Sequence, residues 1–222
     1  MENVNYYKES LKELEAIASK GKKPSLLIHV CCGPCACFPM TFLCPRFDVT
    51  IYYANSNIYP KEEYNHRLSE LRDLLTYLKR DYDYEIKLIV PPYDNESYQR
   101  SMAPYANSPE GGERCFACYE LRMEEAYDYA EKNGFDYFTT VMTISRQKNS
   151  QKLNEIGKKL EKNHQKTKYF YSDFKKNKGL EIGTAIRKEY NLYNQNYCGC
   201  VLSYNEMKQR EERKANHEES AI

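Results

Sequence analysis

Four of the chain's nine cysteines fall between positions 31 and 37, in the stretch HVCCGPCAC, directly after an apolar run. Thiols at that density crosslink, hold a metal, attack an electrophile or carry electrons. Cys31 and Cys32 are adjacent, and adjacent residues on a strand point to opposite faces. They can share one ligand only where the strand ends and the chain turns, a turn that Gly33-Pro34 supplies. Cys115 and Cys118 form a C-x-x-C pair at the start of a helix, where a spacing of three puts both sulfurs on one face and the helix N-terminus favours thiolate. Four thiolates from two separated places match an iron–sulfur cluster or a structural zinc, and spacing alone leaves the two equally open. Cys198-Gly199-Cys200 is too tightly spaced for the usual zinc knuckle and suits a dithiol that cycles to a disulfide. Two small buried residues at a turn is the competing reading. Cys37 and Cys44 are assigned to packing, and Cys35 is left unassigned because it sits in the cluster turn.

The elements that must position these sulfurs alternate in type. Residues 5–20 space Leu11, Leu14, Ile17 and Ala18 at helical intervals before Gly21. SLLIHVC (25–31), DVTIYYA (48–54), EIKLIVPP (85–92), FDYFTTVM (135–142) and KYFYSDF (168–174) read as strands. Helices are expected at 36–43, over YPKEEYNHRLSELRDLLTYLKRDY, in YELRMEEAYDYAEKNG with Gly134 closing it, at 150–163 and at 179–192, with 93–113 as a polar loop. This βαβαβ order predicts an α/β fold, a doubly wound and mostly parallel sheet of the Rossmann-like, adenine-nucleotide-hydrolase-like kind. Ligands of such sheets sit beyond the carboxyl ends of the strands, where Cys31 and Cys32 fall. One domain over 1–222 is expected: an N-terminal helix in 1–22, a catalytic core at 23–204 and a charged, frayed helical tail at 205–222.

Composition narrows the class. A chain of 222 residues, 41% hydrophobic, can bury a sizeable core. The longest apolar stretch is too short for a bilayer and MENVNYYKES lacks the character of a leader, so a cytoplasmic protein with no membrane partner is expected. In that compartment thiols stay reduced, and an odd cysteine count speaks against a fully paired disulfide scaffold. Lys+Arg 33 against Asp+Glu 32 excludes a generally basic nucleic-acid coat while leaving room for a local basic groove. The 22 tyrosines can stack bases, although a compositional bias accounts for them more simply.

HVCCGPC, NIYPKEEYNHR, GGERCFACYELRM, DYFTTVMTISRQKN, YSDF and NLYNQNYCGC, in this order over residues 29–204, resemble the cobalamin-independent epoxyqueuosine reductase family (QueH type). The combination of CC, CxxC and YCGC is specific, although each piece alone is not. The resemblance implies reductive removal of the epoxide of epoxyqueuosine at the tRNA wobble position, giving queuosine. It implies a 4Fe-4S cluster on Cys31, Cys32, Cys115 and Cys118, a redox pair in Cys198 and Cys200, and raises an additional iron ion beside the cluster. The chain departs from the family pattern at Asn194, where an arginine is expected, and in ISRQKN, which lacks the Ser-Pro of many relatives.

Epoxide reduction needs two electrons, two protons and a group that polarises the C–O bond. No Gly-rich nucleotide fingerprint appears, so an external donor is expected: a ferredoxin- or flavodoxin-like protein, or a chemical reductant. Asp94 is the proton-donor candidate, with Asp173 behind it; turn or helix capping is the competing role. His29, inside a strand, reads as a core histidine. An anticodon stem-loop as partner would be held by stacking on tyrosine and by basic groups on phosphates. Asn55, Tyr59, Tyr64 and Arg67, with Arg114 and Arg122 flanking the C-x-x-C, are the candidate substrate contacts, each with a surface salt bridge as its competing role. A zinc-stabilised ATP-using or RNA-binding α/β protein is the alternative, although CCGPC stands where an ATP-using enzyme would carry a phosphate loop.

Overall fold

A computed structural model describes residues 4–219 of the chain. Five strands form one sheet in the order β3-β2-β1-β4-β5: β1 Ser25–His29, β2 Asp48–Tyr52, β3 Lys87–Ile89, β4 Tyr137–Thr140 and β5 Lys168–Tyr169. Every pairing is parallel. Eight helices accompany them among the described residues: α1 Tyr6–Ala18, α2 Gly33–Leu43, α3 Lys61–Tyr82, α4 Asn95–Met102, α5 Glu113–Lys132, α6 Ser150–Glu161, α7 Gly179–Glu189 and α8 Val201–Glu219. The doubly wound α/β fold expected from the element order is the fold found.

Strand alternation splits the core into two layers. Leu26 and Ile28 of β1, Val49 and Ile51 of β2 and Tyr137 of β4 face a cluster that takes in Ile17, Cys37, Met40, Leu71 and Ile186 from α1, α2, α3 and α7. Leu27, Tyr52, Phe138 and Tyr169 face the other way, onto Met123, Tyr127, Leu153 and Leu160 of α5 and α6. Burial on both faces is why β1 reads as a continuous apolar run.

The strands are shorter than the sequence pattern suggests, because their apolar runs continue past the last ladder bond into the loops that build the site. Residues 141–144 leave β4 as a 3-10 turn, and only Lys168–Tyr169 of KYFYSDF pairs. The segment read as a loop at 93–113 contains α4, whose single buried residue, Tyr98, leaves no apolar period to detect. Gly33-Pro34 is the first turn of α2 rather than a turn before it, since the fixed φ of proline suits the opening positions of a helix. The charged segment after Tyr204 belongs to α8, which begins earlier, directly behind Cys200.

Register places His29, Tyr52 and Thr140 side by side at the carboxyl edge. The chain runs from β1 to β2 and β3 on one side and returns to β4 and β5 on the other. The gap between β1 and β4 is therefore the switch point where open α/β sheets bind ligands.

Candidate active site

Cys31 and Cys32 lie just beyond β1, and Cys32 is the extended N-cap residue of α2. Gly33 allows the close approach that fixes them: a Cβ there would stand 2.9 Å from the Glu70 carbonyl oxygen of α3. One turn into α2, Cys35 brings a third sulfur. The Sγ atoms of Cys31, Cys32 and Cys35 lie within 4.8 Å of one another, with 3.8 Å between Cys31 and Cys32. Hydrogen bonds from Cys32 and Cys35 hold Cys31 well below the ordinary thiol range. Burial and the Cys31 contact push Cys32 up to about 12, while the contacts with Cys31 and Cys32, then burial, raise Cys35.

Cys31 and Cys35 line a cavity of about 210 Å³ that also receives Cys115 of α5 and Cys198 of the segment before α8. Three distant stretches of sequence thus deliver sulfur to one space at the switch point. Burial raises both Cys115 and Cys118, and the charges of Cys198 and Cys200 raise them further. Cys115 Sγ accepts the Gly111 amide at 3.2 Å. Cys118, behind it, is hydrogen-bonded to Tyr98. Cys37 and Cys44 are buried in the helical layer instead, as packing residues.

Two cations face these sulfurs without an ion pair among the described residues, although Glu110 lines the same cavity. Arg122 donates to Asn55 Oδ1 at 2.5 Å and lies 3.2 Å from His29 Nε2, while its buried Nε has no partner among the described residues. Burial and the adjoining guanidinium drop His29 to about 3, so it stays neutral, with Nε2 3.1 Å from the Ala54 carbonyl and Nδ1 3.0 Å from Thr140 Oγ1. Lys148, between β4 and α6, lines the same cavity; burial disfavours its charge, and Cys198, Cys31 and Cys35 outweigh that and raise it. A buried arginine and a half-buried lysine facing thiols, with an orphaned guanidinium nitrogen, suit an anionic metal–thiolate group.

The segment carrying Cys198 and Cys200 is strapped to α3. Tyr193 donates its amide to Glu70 at 2.7 Å. Arg67, 1% exposed, donates to the carbonyls of Tyr197 at 3.2 Å and Cys198 at 3.1 Å, with Nε on Glu63 at 2.7 Å. Gln195 donates to Cys32 Sγ at 3.1 Å, and its buried Oε1 has no partner. Gly199 holds φ +124°, and a Cβ there would lie 3.1 Å from Arg67 Nη1 and 3.2 Å from Ile58. Gly199→Ala is expected to cost about 2 kcal/mol, a fall in Tm of about 6 °C for a chain of this size. Thermal unfolding followed by circular dichroism checks this; an unchanged Tm shows the loop to be slack.

Not every residue expected at the site reaches the cavity. Asn55 is buried, holding the Val30 carbonyl at 2.8 Å and orienting Arg122. Tyr59 accepts from the Tyr197 hydroxyl and donates its amide to Gly199, bracing the strap from below. Tyr64 packs among Tyr53 and Tyr93. Arg114 is buried with Nη2 unpartnered, outside the cavity lining. Asp94 is the N-cap of α4, accepting the Ser97 amide at 3.0 Å and hydroxyl at 2.6 Å, and hydrogen bonding to Ser97 holds its carboxyl below the usual carboxylate range. Asp173 accepts from Ser150 at 3.1 Å. Cys35, Lys148, Gln195 and Tyr119 also line the cavity, as do the charged Glu110 and Arg210. Cys35 had a signal, being one helical turn from Cys32; Lys148 and Gln195 are polar residues in loops and had none.

A parallel α/β sheet with three thiols clustered at its switch point, close enough to hold a metal ion, defines the class of site. The family model described as epoxyqueuosine reductase QueH matches residues 26–206. Among curated proteins, an epoxyqueuosine reductase QueH of Streptococcus pyogenes serotype M1 is 36% identical over 91% of this chain and 79% of its own length. One of Staphylococcus epidermidis is 36% identical over 91% of this chain and 85% of its own length. The chain belongs to the epoxyqueuosine reductase QueH family, a family of oxidoreductases. Among the described residues no helix is long and apolar enough to cross a membrane.

Proposed function

We propose that this chain removes the epoxide oxygen of epoxyqueuosine at the wobble position of tRNA, leaving the cyclopentene of queuosine and water. The observation that carries the proposal is the convergence of Cys31, Cys35, Cys115 and Cys198 on one cavity at the switch point. The step consumes two electrons and two protons. Oxidation of the Cys198–Cys200 dithiol to a disulfide releases two of each, so the pair balances one turnover. An external donor, ferredoxin- or flavodoxin-like or a chemical reductant, must then reduce the disulfide again.

Cys31, Cys32, Cys115 and Cys118 are the proposed holders of a 4Fe-4S cluster, and Cys35 leaves a fifth sulfur for an additional iron. A bound iron–sulfur cluster supplies single electrons, and an iron with an open position acts as a Lewis acid on oxygen. Arg122 supplies fixed positive charge beside the sulfurs, oriented by Asn55. Lys148, whose ammonium lines the cavity, is placed to hold a proton where negative charge develops on the departing oxygen. Arg67 and Gln195 keep the Cys198 loop against the Cys32 side of the site.

Anaerobic reconstitution with iron and sulfide, then mass analysis of epoxyqueuosine-containing tRNA after adding reductant, tests the function. Loss of one oxygen from the nucleoside without cobalamin is the expected result. A colourless protein that retains zinc and leaves the epoxide intact would overturn it.

A further inference from the structure

A second cavity, of about 460 Å³, adjoins the first, and Cys35, Ser145, Gln147 and Gln195 line both. Its other polar walls come from the loop before α6, from α7 and from Asn194 beyond it, and they include Arg146 and Arg187. Among the described residues no aspartate or glutamate lines it. Neither arginine takes part in an ion pair among the described residues. Uncompensated guanidinium groups on a concave wall attract a group with several anionic oxygens, and their fork geometry suits phosphate.

Volume then decides which part of a substrate belongs where. The first cavity, at about 210 Å³, is smaller than the pockets that enclose drug-sized ligands, roughly 300–1,000 Å³. A metal–sulfur group would occupy part of it. The cyclopentane end of the modified base can enter, but the ribose and flanking phosphates must stay outside. On the Cys35 side, the space outside is the second cavity.

We propose that this second cavity is the seat of the RNA backbone next to the modified nucleotide, with Arg146 and Arg187 as its phosphodiester contacts. The assignment rests on the tRNA reading of the site above. It gives binding of the anticodon loop to a discrete pocket bordered by α7, in a chain whose overall charge predicts no nucleic-acid partner.

The test measures the Kd of a fluorescently labelled anticodon stem-loop against the salt concentration for three proteins loaded with iron. Relative to wild type, Arg146→Ala with Arg187→Ala is expected to weaken binding about tenfold and to reduce the slope of log affinity on log salt by about 1.4, the value for two contacts to a single strand. Lys20→Ala with Lys22→Ala removes the same two charges from exposed positions lining a separate, lysine-rich cavity. That variant is expected to match wild type. Equal losses in both double variants, or unchanged affinity and slope in the arginine variant at wild-type iron content and Tm, would overturn the subsite. Wild-type protein that neither binds the stem-loop nor deoxygenates its nucleoside would instead overturn the reading beneath it.

Discussion

Arg67→Met is expected to lower turnover at least about 100-fold, because the loop it holds carries Cys198, and a displacement of about 1 Å at a reacting group has that effect. It is expected to cost about 3–5 kcal/mol of stability as well, since it leaves Glu63 without its partner in a largely buried setting. For a chain of this size that is a fall in Tm of about 10 °C. The reason is geometric. Nη1 and Nη2 reach two successive carbonyls, Cys198 and Tyr197, while Nε holds Glu63 one helical turn back, and the guanidinium also sits over the Tyr197 ring at 5.2 Å. Burial opposes the Arg67 charge, but Cys32 and Glu63 outweigh it and hold the group protonated. Arg67→Lys keeps the charge and can satisfy Glu63 but cannot span both carbonyls, so it should recover more of the stability than of the turnover. A residue that bound a tRNA phosphate would behave otherwise: Tm would stay and the salt dependence of binding would drop by about one unit. Wild-type turnover and Tm in Arg67→Met would show that the strap needs no such anchor.

That contrast shows what the sequence could and could not disclose. Leu26–Ile28 and Val49–Ile51 reveal a parallel sheet buried on both faces, because apolar runs bounded by turn residues have few other uses. The carboxyl edge follows from the topology, and the sulfurs of Cys31 and Cys115 at that edge follow from the ends of β1 and the start of α5. Arg67 is different. It lies on the helix after β2, at the edge where a substrate contact belongs, and helical spacing reports only which face it occupies. Its acceptors are carbonyls more than a hundred positions away, at Tyr197 and Cys198. Backbone carbonyls carry no residue-type signal, so a long-range contact to them leaves no trace in the pattern. Asp94 follows the same logic from the opposite side: an aspartate just past a strand suits chemistry or capping equally until the helix behind it is seen.

Cys35→Ser is expected to remove about one-fifth of the iron taken up on anaerobic reconstitution, the additional iron beside the four of the cluster, with affinity for that iron down about 100-fold or more, beyond the loss typical of a residue that merely supports a ligand. Cys35 is set apart from the other buried thiols by position. Cys37, two residues on, points the opposite way around α2, where it packs in the helical layer and donates to the Gly33 carbonyl at 3.5 Å. Cys35 lines both cavities and lies within 4.8 Å of two other sulfurs. Three thiols so close repel once ionised, and their contacts lower Cys31 while raising Cys32 and Cys35 from the ordinary thiol range. A cation that displaces those protons converts the repulsion into coordination. Cys37→Ala is therefore the matched comparison: a buried sulfur lost from the same helix, expected to cost about 1 kcal/mol in stability with iron uptake and visible spectrum unchanged. Equal iron content in the two variants would reduce Cys35 to packing and leave Cys31 and Cys32 to depend on α5 alone for their companions.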